Sequence, residues 1–111
     1  MTVIFETTDP RGKKVICTEE VWFIHVLGGH AEMEGMESEV RQTIESPLYS
    51  IIYQDRDYPE RNIYYRQRNK YTYIKVVVEF MQDNGFLITA YLTDSVKPGE
   101  ILLWTPVSKI S

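Results

Sequence analysis

The stretch Tyr71–Leu92, YTYIKVVVEFMQDNGFLITAYL, decides the fold of this chain. Two strongly apolar runs flank a turn sequence, Asp83-Asn84-Gly85, which is the clearest hairpin signal in the chain. Side chains alternate between the two faces of a strand, so the apolar even-numbered positions of both runs predict one buried face. The hairpin is therefore the expected centre of an antiparallel sheet.

The register of this hairpin follows from the rule that residues directly opposite each other share a face. A three-residue loop over residues 83–85, with Gly85 in the left-handed region, pairs even positions with even positions and places Phe80 opposite Ile88. A two-residue turn at Asn84-Gly85 would mix the two faces, and we reject it. The expected loop thus leaves one apolar and one polar face.

The polar face carries a lysine, a glutamate, threonines and tyrosines from both strands. Its expected members are Tyr71, Tyr73, Lys75, Val77, Glu79, Leu87, Thr89, Tyr91 and Thr93. The preceding strand is expected to add Asn62, Tyr64 and Arg66. Such a face is either a solvated surface or a polar cleft, and the sequence leaves both alternatives open.

Length and composition describe one ordinary globular domain. The chain has 111 residues, which is enough for a single core, so we expect one domain over residues 1–111. No apolar run approaches the roughly 18 residues of a membrane helix, and the N-terminus lacks the pattern of a signal peptide. One cysteine, Cys17, fits a reducing compartment, and cytoplasmic localisation is expected. We expect no cofactor, no metal and no membrane partner.

The charges are distributed unevenly along the chain. The net charge of −4 argues mildly against a dedicated nucleic-acid binder. Residues 18–45 nevertheless carry a net −6, and residues 53–75 a net +3. The first half is thus acidic and expected to be helical, and the second is basic and expected to form strands. Solvated surfaces would explain this pattern equally well.

The remaining segments predict an α+β architecture: an N-terminal β-hairpin and two helices packed on a four-stranded antiparallel sheet. A buried strand is the alternative for the apolar segment VWFIHVL, and the methionines of the second helix are expected to fill the core. The last segment is a short strand or an extended tail, with the N-terminal hairpin as one candidate partner. The predicted elements are hairpin strands Thr2–Glu6 and Lys13–Cys17, helices Thr18–Leu27 and Glu32–Ser46, and strands Leu48–Gln54, Asn62–Gln67, Tyr71–Phe80, Phe86–Leu92 and Glu100–Trp104.

The residue types on the polar face suit the cleavage of a phosphodiester. Transesterification of RNA needs a base, an acid and cations for the charge of the phosphorane, and aromatic rings help by stacking bases. The histidines are the groups whose ordinary pKa lies near neutrality. Each also has a structural alternative, as a core residue or a helix cap. The candidates are His25, His30, Arg66, Lys75, Tyr64, Tyr73 and Tyr91.

Several sequence motifs resemble one protein family. They are E-x-V-W-x-x-H-V-x-x-x-H-A-E-M-E-G at Glu19–Gly35, E-V-x-x-T-I-x-x-P at Glu39–Pro47, Y-Q-D at Tyr53–Asp55, Y-Y-R at Tyr64–Arg66, V-V-V at Val76–Val78 and G-F-L-I-T-A-Y at Gly85–Tyr91. This pattern resembles the phage-associated branch of the barnase–EndoU–colicin–RelE superfamily of RNase-like nuclease domains, and it spans residues 18–104. Ala31 stands where the family pattern has proline.

The resemblance implies a metal-independent endoribonuclease whose site lies on the sheet face away from the helices. By position, His30, Thr89 and Tyr91 match the family's motifs, and Lys75 and Arg66 lie where the family has strand cations. Together with the polar face, this predicts catalytic roles for four residues and substrate binding by four others. The catalytic set is His30, Lys75, Thr89 and Tyr91, and the substrate-binding set is Arg66, Tyr64, Tyr73 and His25. RNA is then the expected substrate, with a toxin-like or phage-associated context. A catalytically silent RNA- or protein-binding module of the same fold is the alternative, and a purely structural domain is a third. The sequence leaves a protein partner or inhibitor, and a homodimer through an exposed edge strand, open.

Overall fold

The computed structural model describes residues 2–106 and has an α+β architecture. Within these residues, seven strands form one sheet and the helical segments lie between the second and third strands. The strands are β1 (Val3–Thr8), β2 (Lys14–Thr18), β3 (Ile51–Gln54), β4 (Arg61–Gln67), β5 (Tyr73–Met81), β6 (Asn84–Thr93) and β7 (Ile101–Trp104). The helical segments are a π-helix (Val21–Val26), one α-helical turn (Leu27–Gly29), a 3₁₀-helix (Ala31–Met33) and helix α1 (Glu37–Glu45).

The sheet is larger than the predicted four-stranded one, and it is mixed. Its strand order is β1-β2-β6-β5-β4-β3-β7. Strands β3 to β6 form the predicted antiparallel meander. The N-terminal hairpin joins it because β2 pairs in parallel with the first residues of β6. Strand β7 pairs with β3 and not with the hairpin. The N-terminal hairpin and strand β7 thus both extend the same sheet.

The turn of the central hairpin differs from the predicted loop. Met81 pairs with Asn84, so the turn is the two-residue Gln82-Asp83, and Gln82 has the positive φ of 59°. Phe80 lies opposite Gly85 and not Ile88. A Cβ atom on Gly85 would come within 2.7 Å of the Phe80 ring. Gly85 is therefore needed for close packing across the strands, and the left-handed assignment was wrong.

A bulge then restores the predicted faces further along the hairpin. The register shifts between Val77 and Val78, so that Val78 lies opposite Leu87 while Val77 lies opposite Thr89. One extra residue of β6, Ile88, is accommodated there. Beyond the bulge, threonine and tyrosine positions return to the expected polar face.

Strand β4 pairs with β5 in a register that exchanges its two predicted faces. Tyr65 lies opposite Lys75, and its neighbours Tyr64 and Arg66 lie opposite Val76 and Ile74. Asn62, Tyr64 and Arg66 therefore face the helices, and the prediction that they share the polar face was wrong. A contact distant in sequence accompanies this register: the buried Tyr64 hydroxyl donates a hydrogen bond to the carboxylate of Asp9, 2.8 Å away.

The main core lies between the sheet and the helical segments. It contains Trp22 and Val26 of the π-helix and both methionines of the following segment, Met33 and Met36. The prediction that the methionines fill the core is confirmed, and the strand alternative for VWFIHVL was wrong. The same helix is not buried all round, because Phe23 is 57% exposed. We call the sheet face that packs on this core the helix face.

Cys17 is buried in the core. Burial, followed by the nearby Glu37 carboxylate, raises the pKa of its thiol to about 12. The thiolate is the nucleophilic form of cysteine, so this thiol is unreactive near neutral pH. No disulfide or nucleophilic role follows for it.

Replacing Gly85 with alanine is expected to destabilise the protein by about 1–3 kcal/mol, because the new methyl group would overpack the site. It would lie 2.7 Å from Val78 Cγ1, and Val78 is fully buried and held by the core. Urea denaturation measures the change in the free energy of unfolding. Gly29→Ala is the matched control, since a Cβ atom there meets nothing. Equal stability of the two variants would contradict the packing role of Gly85.

Candidate functional site

The sheet face opposite the core gathers most of the predicted site residues. Strand pairing places Lys75 between Tyr65 and Tyr91, with Tyr73 and Thr89 at the neighbouring positions on the same face. We call this surface the open face and define it by these five residues. The buried side chains of Tyr65 and Ile63 lie outside the main core cluster, which agrees with their place on this side of the sheet.

Lys75 is the central cation of the open face and is only 8% exposed. Its ammonium group lies 5.6 Å from the centre of the Tyr65 ring and 5.4 Å from that of the Tyr91 ring. Among residues 2–106, no carboxylate forms an ion pair with it. Two aromatic faces stabilise the ammonium by cation–π attraction without neutralising it. The open face therefore presents an uncompensated, largely desolvated positive charge.

His30 reaches the same cluster from the helical side. Its imidazole stacks on the Tyr91 ring, with ring centres 4.8 Å apart and an angle of 23° between the planes. The side chain is 35% exposed, and its Nδ1 atom lies 3.9 Å from the carboxylate of Glu32. His30, Tyr91 and Lys75 thus form a continuous row of contacts, with a titratable group beside a cation.

The fold explains how a residue distant in sequence meets the last long strand. Strand β2 pairs with β6 only over Asn84–Phe86. The π-helix and the 3₁₀-helix also contact β6. The chain passes from Gly29 into His30 with φ −141° and ψ 76°, a non-helical conformation that separates the two helical segments. This break places the imidazole against Tyr91.

On the other side of Lys75, Tyr65 is held by the segment before β7. Its hydroxyl donates to Glu100 Oε1 at 3.0 Å and accepts from the backbone N–H of Lys97 at 3.2 Å. Burial is the largest cause that raises the Tyr65 pKa above its ordinary value, and the Glu100 carboxylate adds to it. The hydroxyl is therefore a proton donor at neutral pH. The other carboxylate oxygen, Glu100 Oε2, is buried and has no hydrogen-bond partner among residues 2–106.

Tyr73 and Thr89 complete the open face, and both are half-buried. Tyr73 meets Tyr65 edge to face, with ring centres 6.5 Å apart. Thr89 lies one pair beyond Tyr91, directly opposite Val77. The structure therefore brings together five predicted residues: His30, Lys75, Tyr73, Thr89 and Tyr91.

Two predicted substrate-binding residues lie on the helix face instead. Tyr64 is fully buried, and burial and the neighbouring Asp9 raise its pKa above the ordinary value. Arg66 donates to Gln42 of α1 at 3.1 Å. Neither side chain joins Lys75, because the register of β4 turns both away from it.

His25 is exposed and lies apart from the contacts around Lys75. It lines a cavity of about 310 Å³ together with Arg61, Glu79, Val21 and Ile88. Arg61 and Glu79 form an ion pair there at 3.3 Å. The structural alternative, that His25 is a buried core residue, was wrong, because its side chain is exposed.

Sequence reasoning missed two members of this cluster. Tyr65 was assigned to the wrong face of the sheet. The sequence shows only that Tyr64 and Tyr65 are adjacent, and a register shift of one residue exchanges the faces on which they lie. Glu100 had no signal in the local sequence, because its contact with Tyr65 spans 35 positions. Both residues follow only from the tertiary structure.

Two further findings concern ligands and relatives. Within residues 2–106, no group of three or more histidine, cysteine or acidic side chains is arranged to hold a metal ion. The helices of that part of the chain are all too short or too polar to cross a membrane. Comparisons with protein-family models, curated proteins and solved structures found no match to this chain.

Proposed function

We propose that this protein is a metal-independent endoribonuclease of the phage-associated barnase–EndoU–colicin–RelE type. The observation that carries the proposal is the row His30–Tyr91–Lys75 on the open face. It joins an imidazole, which can donate or accept a proton, to a buried cation, and RNA transesterification uses both. The motifs at Glu19–Gly35 and Gly85–Tyr91 agree with it, since they supply His30, Thr89 and Tyr91.

The proposed reaction assigns one task to each side chain. The 2′-hydroxyl of a ribose loses its proton and attacks the adjacent phosphorus, the bond from phosphorus to O5′ breaks, and O5′ gains a proton. His30 acts as acid or base in these proton transfers. Lys75 stabilises the charge on the phosphorane oxygens in a site of low dielectric. Tyr91 orients the imidazole, and Thr89 positions the substrate. The products are a 2′,3′-cyclic phosphate and a 5′-hydroxyl.

The substrate would lie across the open face, with Tyr73 as a stacking surface for a base. Tyr64 and Arg66 have no place in this version of the proposal, because they lie on the helix face. His25 could contact a more distant part of the strand beside Arg61. The overall charge of −4 fits a selective enzyme better than one that binds any RNA tightly.

A binding module without catalysis is the second candidate. Three exposed tyrosines each carry a cation near the ring: Arg61 at Tyr58, Arg66 at Tyr49 and Lys70 at Tyr71, at 4.3, 5.6 and 5.7 Å. Aromatic and cationic pairs of this kind bind single-stranded RNA without cleaving it, and they are also common at protein interfaces. Capture of RNA without turnover would favour this candidate.

Location and assembly complete the proposal. A cytoplasmic enzyme acting on cellular RNA fits the single buried cysteine. An inhibitor protein would be expected to cover the open face. Strands β1 and β7 are the sheet edges within residues 2–106, and a homodimer through either edge is a further proposal that sedimentation analysis would test.

The test is cleavage of mixed cellular RNA in the presence of EDTA by the unaltered protein and by His30→Ala. The unaltered protein is expected to release fragments ending in 2′,3′-cyclic phosphate. The variant should be slower by about 10²–10⁴-fold, the usual contribution of an acid or base. His25→Ala is the comparison variant. Its loss of activity should be much smaller than that of His30→Ala, because His25 lines a separate cavity beside Arg61 and has no part in the proton transfers.

Each outcome of this test separates the candidates. Equal cleavage by His30→Ala and the unaltered protein, with both folded, would exclude the proposed role of His30. No cleavage by any form, together with binding of labelled RNA, would replace the nuclease with the binding module. Loss of activity in EDTA with recovery on adding Mg²⁺ would contradict a metal-independent reaction.

A further inference from the structure

The cavity beside His25 contains charged groups that the proposed reaction does not use. It has a volume of about 310 Å³ and is lined by Val21, His25, Arg61, Glu79 and Ile88. The Arg61 and Glu79 side chains are each 34% exposed, and His25 is exposed as well. A ligand from solution therefore has direct access to the charged groups of this cavity.

The cavity residues of the sheet lie on the same side of it as the open face. Arg61 pairs with Glu79 and Tyr65 pairs with Lys75, and the two pairs are four residues apart along both strands. Side chains alternate along a strand, so residues an even number of positions apart share a face. Four residues span roughly 13 Å at about 3.3 Å per residue. One extended ligand can thus reach both Lys75 and Arg61.

The Arg61 guanidinium is fixed in place but only partly used. Its central carbon lies 4.3 Å from the centre of the Tyr58 ring, and its Nε atom donates to Glu79 Oε1 at 3.3 Å. Within residues 2–106, its two terminal amino groups have no hydrogen-bond acceptor. A planar fork of two free amino groups matches two oxygens of a phosphate group.

The other walls of the cavity agree with an oxyanion as the ligand. The His25 imidazole adds an N–H donor from the π-helix, and Val21 and Ile88 contribute apolar surface. Glu79 offsets part of the positive charge of Arg61, so the contact is expected to be weaker than the one at Lys75. Phosphate contacts of this kind position a nucleic-acid strand without reading its bases.

We infer that Arg61, with His25 beside it, binds a second phosphodiester of the RNA strand whose reacting phosphodiester lies at Lys75. This second phosphate subsite holds the strand along the sheet and sets which bond meets Lys75. The inference rests on the proposed function for the class of ligand. It adds Arg61, which none of the sequence motifs includes.

The test measures the affinity for single-stranded 2′-O-methyl RNA as a function of its length. The methyl group blocks the hydroxyl that attacks phosphorus, so these oligonucleotides bind without being cleaved. Oligo(U) and oligo(A), from the dinucleotide upwards, are titrated into the full chain by calorimetry. The affinity of the unaltered protein is expected to rise about three- to tenfold at the length that reaches the cavity, the size of one hydrogen bond to a charged group.

Arg61→Gln should remove this rise and leave the affinity for the dinucleotide unchanged, because a single phosphodiester occupies the uncompensated Lys75. It should also reduce the slope of log affinity against log salt concentration by about 0.7, the value for one phosphate contact with a single strand. Arg61→Lys keeps the charge without the planar fork, so it should retain only part of the rise.

Arg41→Gln is the matched control. Arg41 pairs with Glu45 through its Nε atom at 3.2 Å, much as Arg61 pairs with Glu79, but it lies on α1, which packs on the helix face. This variant loses the same charge as Arg61→Gln and should bind every oligonucleotide as the unaltered protein does. Thermal unfolding checks that the variants are folded, and Arg61→Lys carries the test if Arg61→Gln is not.

The pattern across lengths and sequences decides the inference. A rise that Arg61→Gln abolishes for both sequences and Arg41→Gln preserves supports it. An equal loss at every length, or the same loss in Arg41→Gln, would overturn it. A loss confined to one of the two sequences would show a base contact and overturn the phosphate subsite. Inorganic phosphate that binds as tightly as the longer oligonucleotides would show an isolated anion site and overturn the contact with the strand.

This result is separate from whether the protein cleaves RNA. A rise that needs Arg61, without cleavage of mixed RNA, would leave the inference standing and contradict the nuclease. Cleavage of mixed RNA with the same affinity at all lengths would do the reverse. Absence of binding of every oligonucleotide would overturn the inference, while the cleavage assay would still decide the proposed function.

Discussion

Replacement of Lys75 with methionine is expected to slow RNA cleavage by about 10²–10³-fold, as when one preorganised donor to a developing oxyanion is removed. The ammonium group lies near both the Tyr65 ring and the Tyr91 ring. In a desolvated site its charge interacts strongly with the phosphorane, and bulk water cannot replace it. Methionine preserves the length and packing of the side chain while removing the charge.

The same substitution should leave the protein as stable as before, or more stable. Lys75 is buried without an ion pair among residues 2–106, so its removal leaves no unpaired acid behind. Replacing a buried charge with an apolar side chain of similar volume is often neutral or stabilising. Lys70→Met is the matched control, because Lys70 is exposed and also lies near a tyrosine ring. Cleavage rates and thermal unfolding are measured for both variants. A folded Lys75→Met that cleaves RNA as fast as the unaltered protein would exclude a role of Lys75 in the reaction.

The sequence predicts the elements of this fold better than their pairing. Alternation located β4, β5 and β6, and the run of polar and apolar residues before Pro47 located the helix α1 (Glu37–Glu45). These signals are local, since they come from residues within one strand or one helix. The α+β class and the antiparallel meander followed from them.

Register was the part that local pattern could not provide. The Asn84-Gly85 pair resembles a turn, but Gly85 lies in the strand because Phe80 packs over it. The bulge at Ile88 then exchanges the faces of β6 part of the way along. In β4, a shift of one residue decides whether Tyr64 or Tyr65 meets Lys75. Contacts from other elements decide such shifts, and no short window of sequence contains them.

The candidate site was predicted in part for the same reason. Lys75, Thr89 and Tyr91 belong to one hairpin, so their common face survives the error in the loop. His30 came from a motif, and its contact with Tyr91 joins the helical region to β6, which no local pattern predicts. Glu100 comes from a segment after the hairpin and was not predicted. Residues within one element could be grouped from the sequence, whereas those from separate elements could not.

Replacement of Asp9 with alanine is expected to destabilise the protein by about 3–5 kcal/mol, the usual cost of removing one partner from a buried ion pair. The Asp9 side chain is fully buried and its carboxylate lies 2.7 Å from Arg11 Nη2. It also accepts from the Tyr64 hydroxyl and from the backbone N–H groups of Arg11 and Lys13. Alanine would leave a guanidinium that is only 17% exposed without its anion.

This network fixes the tip of the N-terminal hairpin against β4. Arg11 Nη2 donates to Asn62 Oδ1 at 2.7 Å, so one guanidinium joins the hairpin tip to the strand that carries Tyr64 and Tyr65. Loss of Asp9 should therefore loosen the contact between the hairpin tip and β4. Since whole domains are stable by about 5–15 kcal/mol, the expected loss is a large share of the total.

Urea denaturation of Asp9→Ala measures the loss, with Asp57→Ala as the control. Asp57 is an exposed residue of a loop, and surface substitutions of this kind usually change stability by about 0.5 kcal/mol or less. The network lies on the helix face, so cleavage per folded molecule of Asp9→Ala should stay near that of the unaltered protein below the transition. Equal midpoints and slopes for the two variants would show that the Asp9 cluster does not stabilise the fold. A loss of cleavage greater than the loss of folded protein would show instead that the register of β4, which sets Tyr65 beside Lys75, depends on Asp9.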